Sequence, residues 1–263
     1  MTRIMNGALF TSSAPRRHGF TLVELLVVIG IIALVIALLL PVLARSRMSA
    51  RKMECASQLR AIGRGFVMYA NDNRGFVPRD HSPWRPDRRP NWLVLLGPYV
   101  AGGQDWEQAL EDDAVALEMM RRVRQFHCAE HPLMGEVPGT YVVNAFKFES
   151  EPVWDPDGVV KLARVRNPSQ VVLVAEAADG FGESGDRIDL IYRAEFHDAY
   201  RPGHLPRQTG QRLSDDRHAG RANLLFFDSS VREIRRGALE LRMFDDGVSS
   251  RATDDVWDDD FGS

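Results

Sequence analysis

The sequence predicts an α+β protein: a long N-terminal helix, transmembrane in its first part and amphipathic in its second, packed on a small antiparallel sheet, with one further helix in the head. Three observations lead there. Phe20 to Leu40 reads FTLVELLVVIGIIALVIALLL, twenty-one residues in which Glu24 is the single ionisable group. After it, apolar residues recur at mostly three- and four-residue steps as far as Tyr69. Beyond residue 140 the chain changes to short apolar or alternating runs separated by Gly, Pro, Asp and Ser, the punctuation of strands.

The apolar run comes first. A helix rises about 1.5 Å per residue, so a run of this length crosses a hydrocarbon core of about 30 Å. It is too long for the short apolar region of a secretory signal, although Val42-Leu43-Ala44 could serve as a small-x-small cut site. An uncleaved signal anchor fits the length directly. Pro41 follows at once, and because it cannot donate a helical hydrogen bond a kink is expected there, with the helix resuming beyond it. Val42, Leu43, Met48, Met53, Leu59, Ile62, Phe66 and Tyr69 then form the stripe that can lie along the head, and Asn71-Asp72-Asn73-Arg74-Gly75 supplies the stop.

The residues before the run carry a more specific pattern: Arg16-Arg17-His18-Gly19-Phe20-Thr21-Leu22-Val23-Glu24. This resembles the processing motif of type IV prepilins and type II secretion pseudopilins, with a basic leader, Gly, an aromatic residue, and Glu inside an apolar helix. The resemblance implies that a prepilin peptidase/methyltransferase at the inner face of the membrane cuts between Gly19 and Phe20 and N-methylates Phe20. It also implies that Glu24 aligns subunits in a helical filament, with other pseudopilins meeting the chain through this helix. A charged group inside a membrane helix costs about 2.5 to 3.5 kcal/mol on insertion scales, so an acid at this depth calls for a purpose. A place in the first turn also sets it against the positive end of the helix dipole.

Charge is partitioned along the chain. The net charge of -3 over 263 residues describes an ordinary soluble domain only as an average. Residues 1–19 hold three arginines and no acid, residues 20–72 six bases and three acids, and the remainder 24 bases against 33 acids. The acidic head excludes nucleic acid, which needs clustered bases; the basic neck suits inner-membrane lipid head groups. Arg45, Arg47, Arg51 and Lys52 would by the positive-inside rule hold the C-terminal side in the cytoplasm. The processing motif implies the reverse, a single-pass inner-membrane protein with a cytoplasmic N-terminus and a periplasmic head. The organisation expected is therefore a prepilin leader over 1–19, the helix over 20–72 with 20–40 transmembrane, a globular head over 73–244, and an acidic tail over 245–263.

In the head, Arg74 to Asn91 reads as an irregular loop and Asp105 to Phe126 as one helix, N-capped by Asp105 and buried through Leu110, Ala114, Leu117, Met120 and Val123. Strands are expected at Thr140 to Phe146, Gln170 to Ala175, Ile188 to Tyr192, Ala222 to Phe227 and Val231 to Ile234. Asp228-Ser229-Ser230 should turn the last two into a hairpin. The Cys55 to Gly63 segment, Asn167 to Leu173 and the stretch from His218 to Asp228 resemble a bacterial pseudopilin-like group whose C-terminal domain is marked by His, nine residues, then Asp-Gly. Ser229 stands where that group has Gly, a residue that admits positive φ.

Candidate chemistry is sparse. His218 and Asp228 are a motif of unknown role, read as loop and turn residues that fix the hairpin, since a lone His and Asp show no nucleophile or third ligand. His127-Cys128-x-x-His131 could hold zinc if a fourth ligand arrived. The resembling group has a Cys at the positions of both Cys55 and Cys128, which implies a disulfide in an oxidising compartment; free thiols are the third alternative. The seven acids of the tail offer oxygen ligands for calcium but lack a calcium-loop Gly and ligand order, so a solvated tail is favoured. No resident metal or cofactor is expected, and no catalytic residue.

The function expected is that of a non-enzymatic pseudopilin-like subunit of a type II secretion-like filament. A type IV pilus minor pilin is the alternative within the class. A membrane-anchored periplasmic binding module or metal-dependent hydrolase using His218, Asp228 and the His127/His131 loop is the alternative outside it.

Overall fold

The computed structural model describes residues 21–78, 92–102, 106–132, 139–144, 161–178, 195–196, 206 and 213–244. The chain divides into two compact units, Met1–Ser46 and Arg47–Ser263, and the boundary falls within helix α1, Leu22–Asp72. The helix runs on through Pro41, the residue at which a kink was expected because its missing N–H removes one bond from the ladder. Its stop also falls where the turn residues placed it. The Asn73 side chain donates to the Tyr69 carbonyl at 2.8 Å, and Gly75, at φ 87, donates its N–H to the Ala70 carbonyl at 2.7 Å, satisfying carbonyls that the helix end leaves open.

In the first unit, described residues as far as Ser46 are exposed, and this is the one described helix long and apolar enough to cross a membrane. A run of Leu, Ile and Val with no protein surface over it would be unfavourable in water and is satisfied in hydrocarbon.

In the second unit the same helix changes character. Cys55, Gln58, Leu59, Ile62, Gly63, Gly65, Phe66 and Ala70 are buried, a stripe at helical spacing. Two glycines set how closely its neighbours approach. A Cβ on Gly63 would lie 2.9 Å from Leu225 Cδ1, and one on Gly65 2.7 Å from Val100 Cγ2, so the helix accepts the sheet at one position and α2 at the other.

Helix α2, Trp92–Val100, has no counterpart in the sequence reading. Its sequence WLVLLGPYV is apolar on all sides, so no polar face reveals its period; Trp92 stacks on Phe66 with centroids 5.7 Å apart. The single helix expected over Asp105 to Phe126 is instead α3, Trp106–Glu111, and α4, Asp113–Arg122, followed by a 3-10 turn, Arg124–Phe126. Asp112 makes the break: its side chain accepts from the N–H groups of Ala114 and Val115, the behaviour of an N-cap. The expected cap, Asp105, lies outside the described residues. Ala109, Ala116 and Met120 are buried whereas Leu110 is exposed, because the break changes which residues face the core.

The sheet has the order β3-β1-β2-β4-β5, with β1 at Tyr141–Asn144, β2 at Val172–Glu176, β3 at Glu195–Phe196, β4 at Arg221–Phe226 and β5 at Val231–Arg235. The pairs β1/β2, β2/β4 and β4/β5 are antiparallel, and β3 adds two residues parallel to β1. The strand expected at Ile188 to Tyr192 lies outside the described residues. β1 and β2 are buried throughout, which accounts for their unbroken apolar runs. β5 is an edge strand whose residues are all half-buried or exposed.

The β4–β5 hairpin forms as expected, with a longer turn than two residues. Ser229 donates to the Phe226 carbonyl at 2.9 Å, Phe226 donates to the Ser230 carbonyl at 2.9 Å, and Asp228 Oδ1 accepts from the Ser230 N–H at 2.9 Å. Ser229 sits at φ 65, the left-handed position that a type I turn with a bulge usually gives to Gly. Such a conformation costs a residue with a Cβ about 1 to 2 kcal/mol. Next to the hairpin, Lys52 of α1 pairs with Glu233 of β5 at 2.5 Å.

Ser229→Gly should therefore stabilise the protein by up to about 1 kcal/mol after the added unfolded-state entropy is subtracted, raising the melting temperature by about 2 to 4 °C; an unchanged or lower value in thermal unfolding would contradict the strain. The Glu233 carboxyl is held below its ordinary value by the hydrogen bond from Lys52, against burial, with Arg221 adding to the effect. A lowered folded-state value means the contribution is present above the unfolded carboxylate range and lost as pH falls through the folded one. Glu233→Gln should cost about 0.5 to 1 kcal/mol at pH 7, and denaturant titrations of the two proteins should converge in acid.

Candidate functional site

Two places gather the residues that sequence reasoning singled out. The first is the start of α1. Thr21 and Glu24 form a reciprocal cap: the Thr21 N–H and hydroxyl donate to Glu24 Oε2 at 2.9 and 2.8 Å, and the Glu24 N–H donates to Thr21 Oγ1 at 3.2 Å. Thr-x-x-Glu ahead of an apolar run is the sequence signature of a capping box. Thr21 is thus a residue that sequence reasoning passed over while the signal for it was present. The arrangement satisfies two helix-end donors and holds the one carboxylate of the apolar segment at the positive end of the helix. Gly19 and Phe20 lie outside the described residues.

The second place is a buried polar cluster in the head. Cys55 comes from α1, Cys128 from the loop after the Arg124–Phe126 turn, Glu176 from the end of β2, and His218 from the turn before β4. The two sulfurs are 2.8 Å apart, and one ligand atom from each of Cys55, Cys128 and His218 lies within 4.8 Å of the others. His218 Nε2 meets Glu176 Oε1 at 2.9 Å and Cys128 Sγ at 3.5 Å, and its Nδ1 meets Glu130 Oε2 at 2.9 Å. Asn223 donates to the same Glu176 oxygen from its backbone at 3.4 Å and its side chain at 3.3 Å. Arg217 Nε approaches Glu176 Oε2 at 3.9 Å, and this Arg and Glu have side chains 2% and 0% exposed. Cys128 is held in turn by its N–H, which donates to Thr140 Oγ1 at 2.5 Å.

The electrostatics follow from that crowding. With both thiols reduced, burial works against a charge on His218, but hydrogen bonding to Cys55 and Glu176 and the negative charge of both outweigh it and push the imidazole up to about 10. The hydrogen bond from Cys128 draws Cys55 down to about 6, against burial and with help from His218. Cys128 itself is driven up by the same bond and by burial.

The structure separates what the sequence grouped. His127 and His131 are buried beside Cys128 yet turn elsewhere, Nε2 of each meeting a backbone carbonyl, that of Met120 at 3.3 Å and that of Ala178 at 3.4 Å. The His-Cys-x-x-His loop therefore does not assemble as a ligand set. His218 and Asp228 flank β4 at its two ends, about 20 Å of strand apart at 3.3 Å per residue; Asp228 closes the hairpin turn. No sequence spacing could have announced the meeting of Cys55, Cys128, Glu176 and His218, since they are joined only by the packing of α1 on the sheet. The acidic tail with its calcium candidates lies outside the described residues.

Removing the cation from a buried pair leaves the carboxylate uncompensated, which costs about 3 to 5 kcal/mol. His218→Ala should lose about that much in denaturant unfolding, and Asp228→Ala only about 1 kcal/mol, the value of a turn bond. Equal effects would show that the two residues act together after all.

The comparisons with known proteins bear on the first place. Residues 14–40 match the family model described as the prokaryotic N-terminal methylation motif. No curated protein and no solved structure matches the chain. The matched motif, opening a long apolar helix that continues into a head built on a small antiparallel sheet, fits a type IV pilin-like protein anchored in the inner membrane and handled by a prepilin peptidase.

Proposed function

We propose that the chain is a structural, non-enzymatic pseudopilin-like subunit. It is cut between Gly19 and Phe20, methylated on Phe20, and assembled through α1 into a short periplasmic filament of a type II secretion-like system. The observation that carries this reading is the methylation motif over residues 14–40 together with the placement of Glu24, the one carboxylate of the exposed apolar segment 21–40, in the cap with Thr21. A subunit of this kind waits in the bilayer as a monomer, and the cap lowers the cost of keeping a carboxylate there. On assembly Glu24 can exchange the Thr21 donors for the positively charged terminal amine of a neighbouring copy, a stronger partner in hydrocarbon. Against the hydrolase reading stands the burial of its candidate residue: the His218 side chain is 1% exposed.

The mature chain recovered from membranes should begin at Phe20 with a methylated amine by N-terminal mass spectrometry; a chain beginning at Met1 in peptidase-competent cells, or at Arg45, would defeat the proposal. Glu24→Ala should insert normally and fail to enter filaments. Glu24→Gln keeps the capping geometry and removes the charge, so it should fail likewise, while Thr21→Ala should still assemble. Normal assembly of Glu24→Gln would show that the cap and not the charge is what matters.

A further inference from the structure

We infer that Cys55 and Cys128 are the two halves of an intramolecular disulfide that fastens α1 to the loop after α4. The inference rests on the reading above that the head faces an oxidising compartment. Both sulfurs are fully buried, they stand 2.8 Å apart, and they are the only cysteines in the chain, so neither has another intramolecular partner.

The competing use of these atoms is a zinc site with His218 as third ligand. Zinc holds each thiolate at about 2.3 Å, and two sulfurs 2.8 Å apart would then subtend only about 75° at the metal against about 109° in a tetrahedral site. His218 is also committed, with Glu130 on one ring nitrogen and Glu176 on the other. A covalent bond needs only that the sulfurs close by less than 1 Å, to about 2.05 Å.

The chemistry balances with a disulfide-bearing thiol oxidase as co-reactant. One thiolate attacks a sulfur of the oxidant's disulfide and releases its other sulfur as a thiolate. The second cysteine, as thiolate, then attacks the mixed disulfide, forming the Cys55–Cys128 bond and expelling the oxidant's remaining sulfur. The two thiols lose two protons and two electrons; the oxidant gains both as two thiols. Because both sulfurs are inaccessible in the folded head, exchange must precede closure of the core, and reductants are excluded afterwards. The bond spans 73 positions and encloses α2, α3 and α4. His218 keeps its two carboxylates when the thiolate disappears.

The test uses the full chain from membranes, quenched in acid, denatured, and alkylated before and after reduction. Alkylation only after reduction, with a non-reducing peptide joining the two cysteines, is the expected result. Cys55→Ser, Cys128→Ser and the double variant should each lower the melting temperature by a similar amount, about 5 to 15 °C. Two free thiols, or a stoichiometric zinc ion on the reduced pair, in a chain whose head is cut by protease added to spheroplasts would overturn the inference. If instead the protease finds the head inside, the location reading falls, and the pair is judged by refolding the detergent-solubilised chain in a glutathione redox buffer. Closure of Cys55 on Cys128 there supports the inference and its absence overturns it.

Discussion

The head is organised around a carboxylate that water cannot reach. Glu176 has no exposed surface, and an isolated charge in that position would cost several kcal/mol, more than a domain of this size can spare. It is therefore answered from three directions: His218 ahead of β4 and Asn223 within β4 hydrogen-bond its Oε1, and Arg217, in the same turn as His218, faces its Oε2 as an ion pair at 3.9 Å. Each partner is fixed elsewhere as well. His218 reaches Glu130, Asn223 reaches the Lys52 carbonyl on α1 at 3.4 Å, and Arg217 donates to the Ala177 carbonyl. Satisfying one acid thus sets β2 against β4, β4 against α1, and the Cys128 loop against both. Apolar contacts around Phe66, Trp92 and Leu59 supply the larger share of the stabilising energy, but they tolerate small slips, whereas a buried charge with directional partners admits one arrangement.

What could be read from the sequence follows the range of the interaction responsible. The start, stop and length of α1 are local matters of apolar composition and turn residues, and they were legible. So were four of the strands and the hairpin, including the penalty at Ser229, which needs only the knowledge that a turn of that shape calls for positive φ. The split of one expected helix into α3 and α4 was locally encoded in Asp112, a residue type that caps helices, but the surrounding apolar period outweighed it. Helix α2 was hidden for the opposite reason, because a segment apolar on all sides offers no amphipathic contrast. The candidate site divides the same way. Glu24 was visible as an acid out of place, and its partner Thr21 lay three residues before it. The cluster around Glu176 was not visible: its members span residues 55 to 223 and come together only after the sheet has formed. Adjacency misled as well, since His127 and His131 flank Cys128 in the chain and serve backbone carbonyls in space.

The two units share one helix and no common chemistry. In the first, Leu, Ile and Val are exposed; in the second, the same helix is a core element whose buried face is interrupted by Gly63 and Gly65 to admit neighbours. The change falls between Ser46 and Cys55, the first buried residue of the helix, in a stretch that brings in Arg47, Arg51 and Lys52. A continuous helix suits both surroundings because it closes its own backbone hydrogen bonds in either solvent, leaving side chains alone to declare where each segment belongs.

The cap at the head of α1 has a consequence for maturation. Thr21 and Glu24 both lie on the C-terminal side of the Gly19–Phe20 bond, so a chain cut there would keep the reciprocal hydrogen bonds between them. Scission of that bond would leave this cap whole. Under the proposed processing the helix would carry this cap with it, and the leader would serve as a removable address label, discarded in the bilayer without breaking the cap of the helix it delivered.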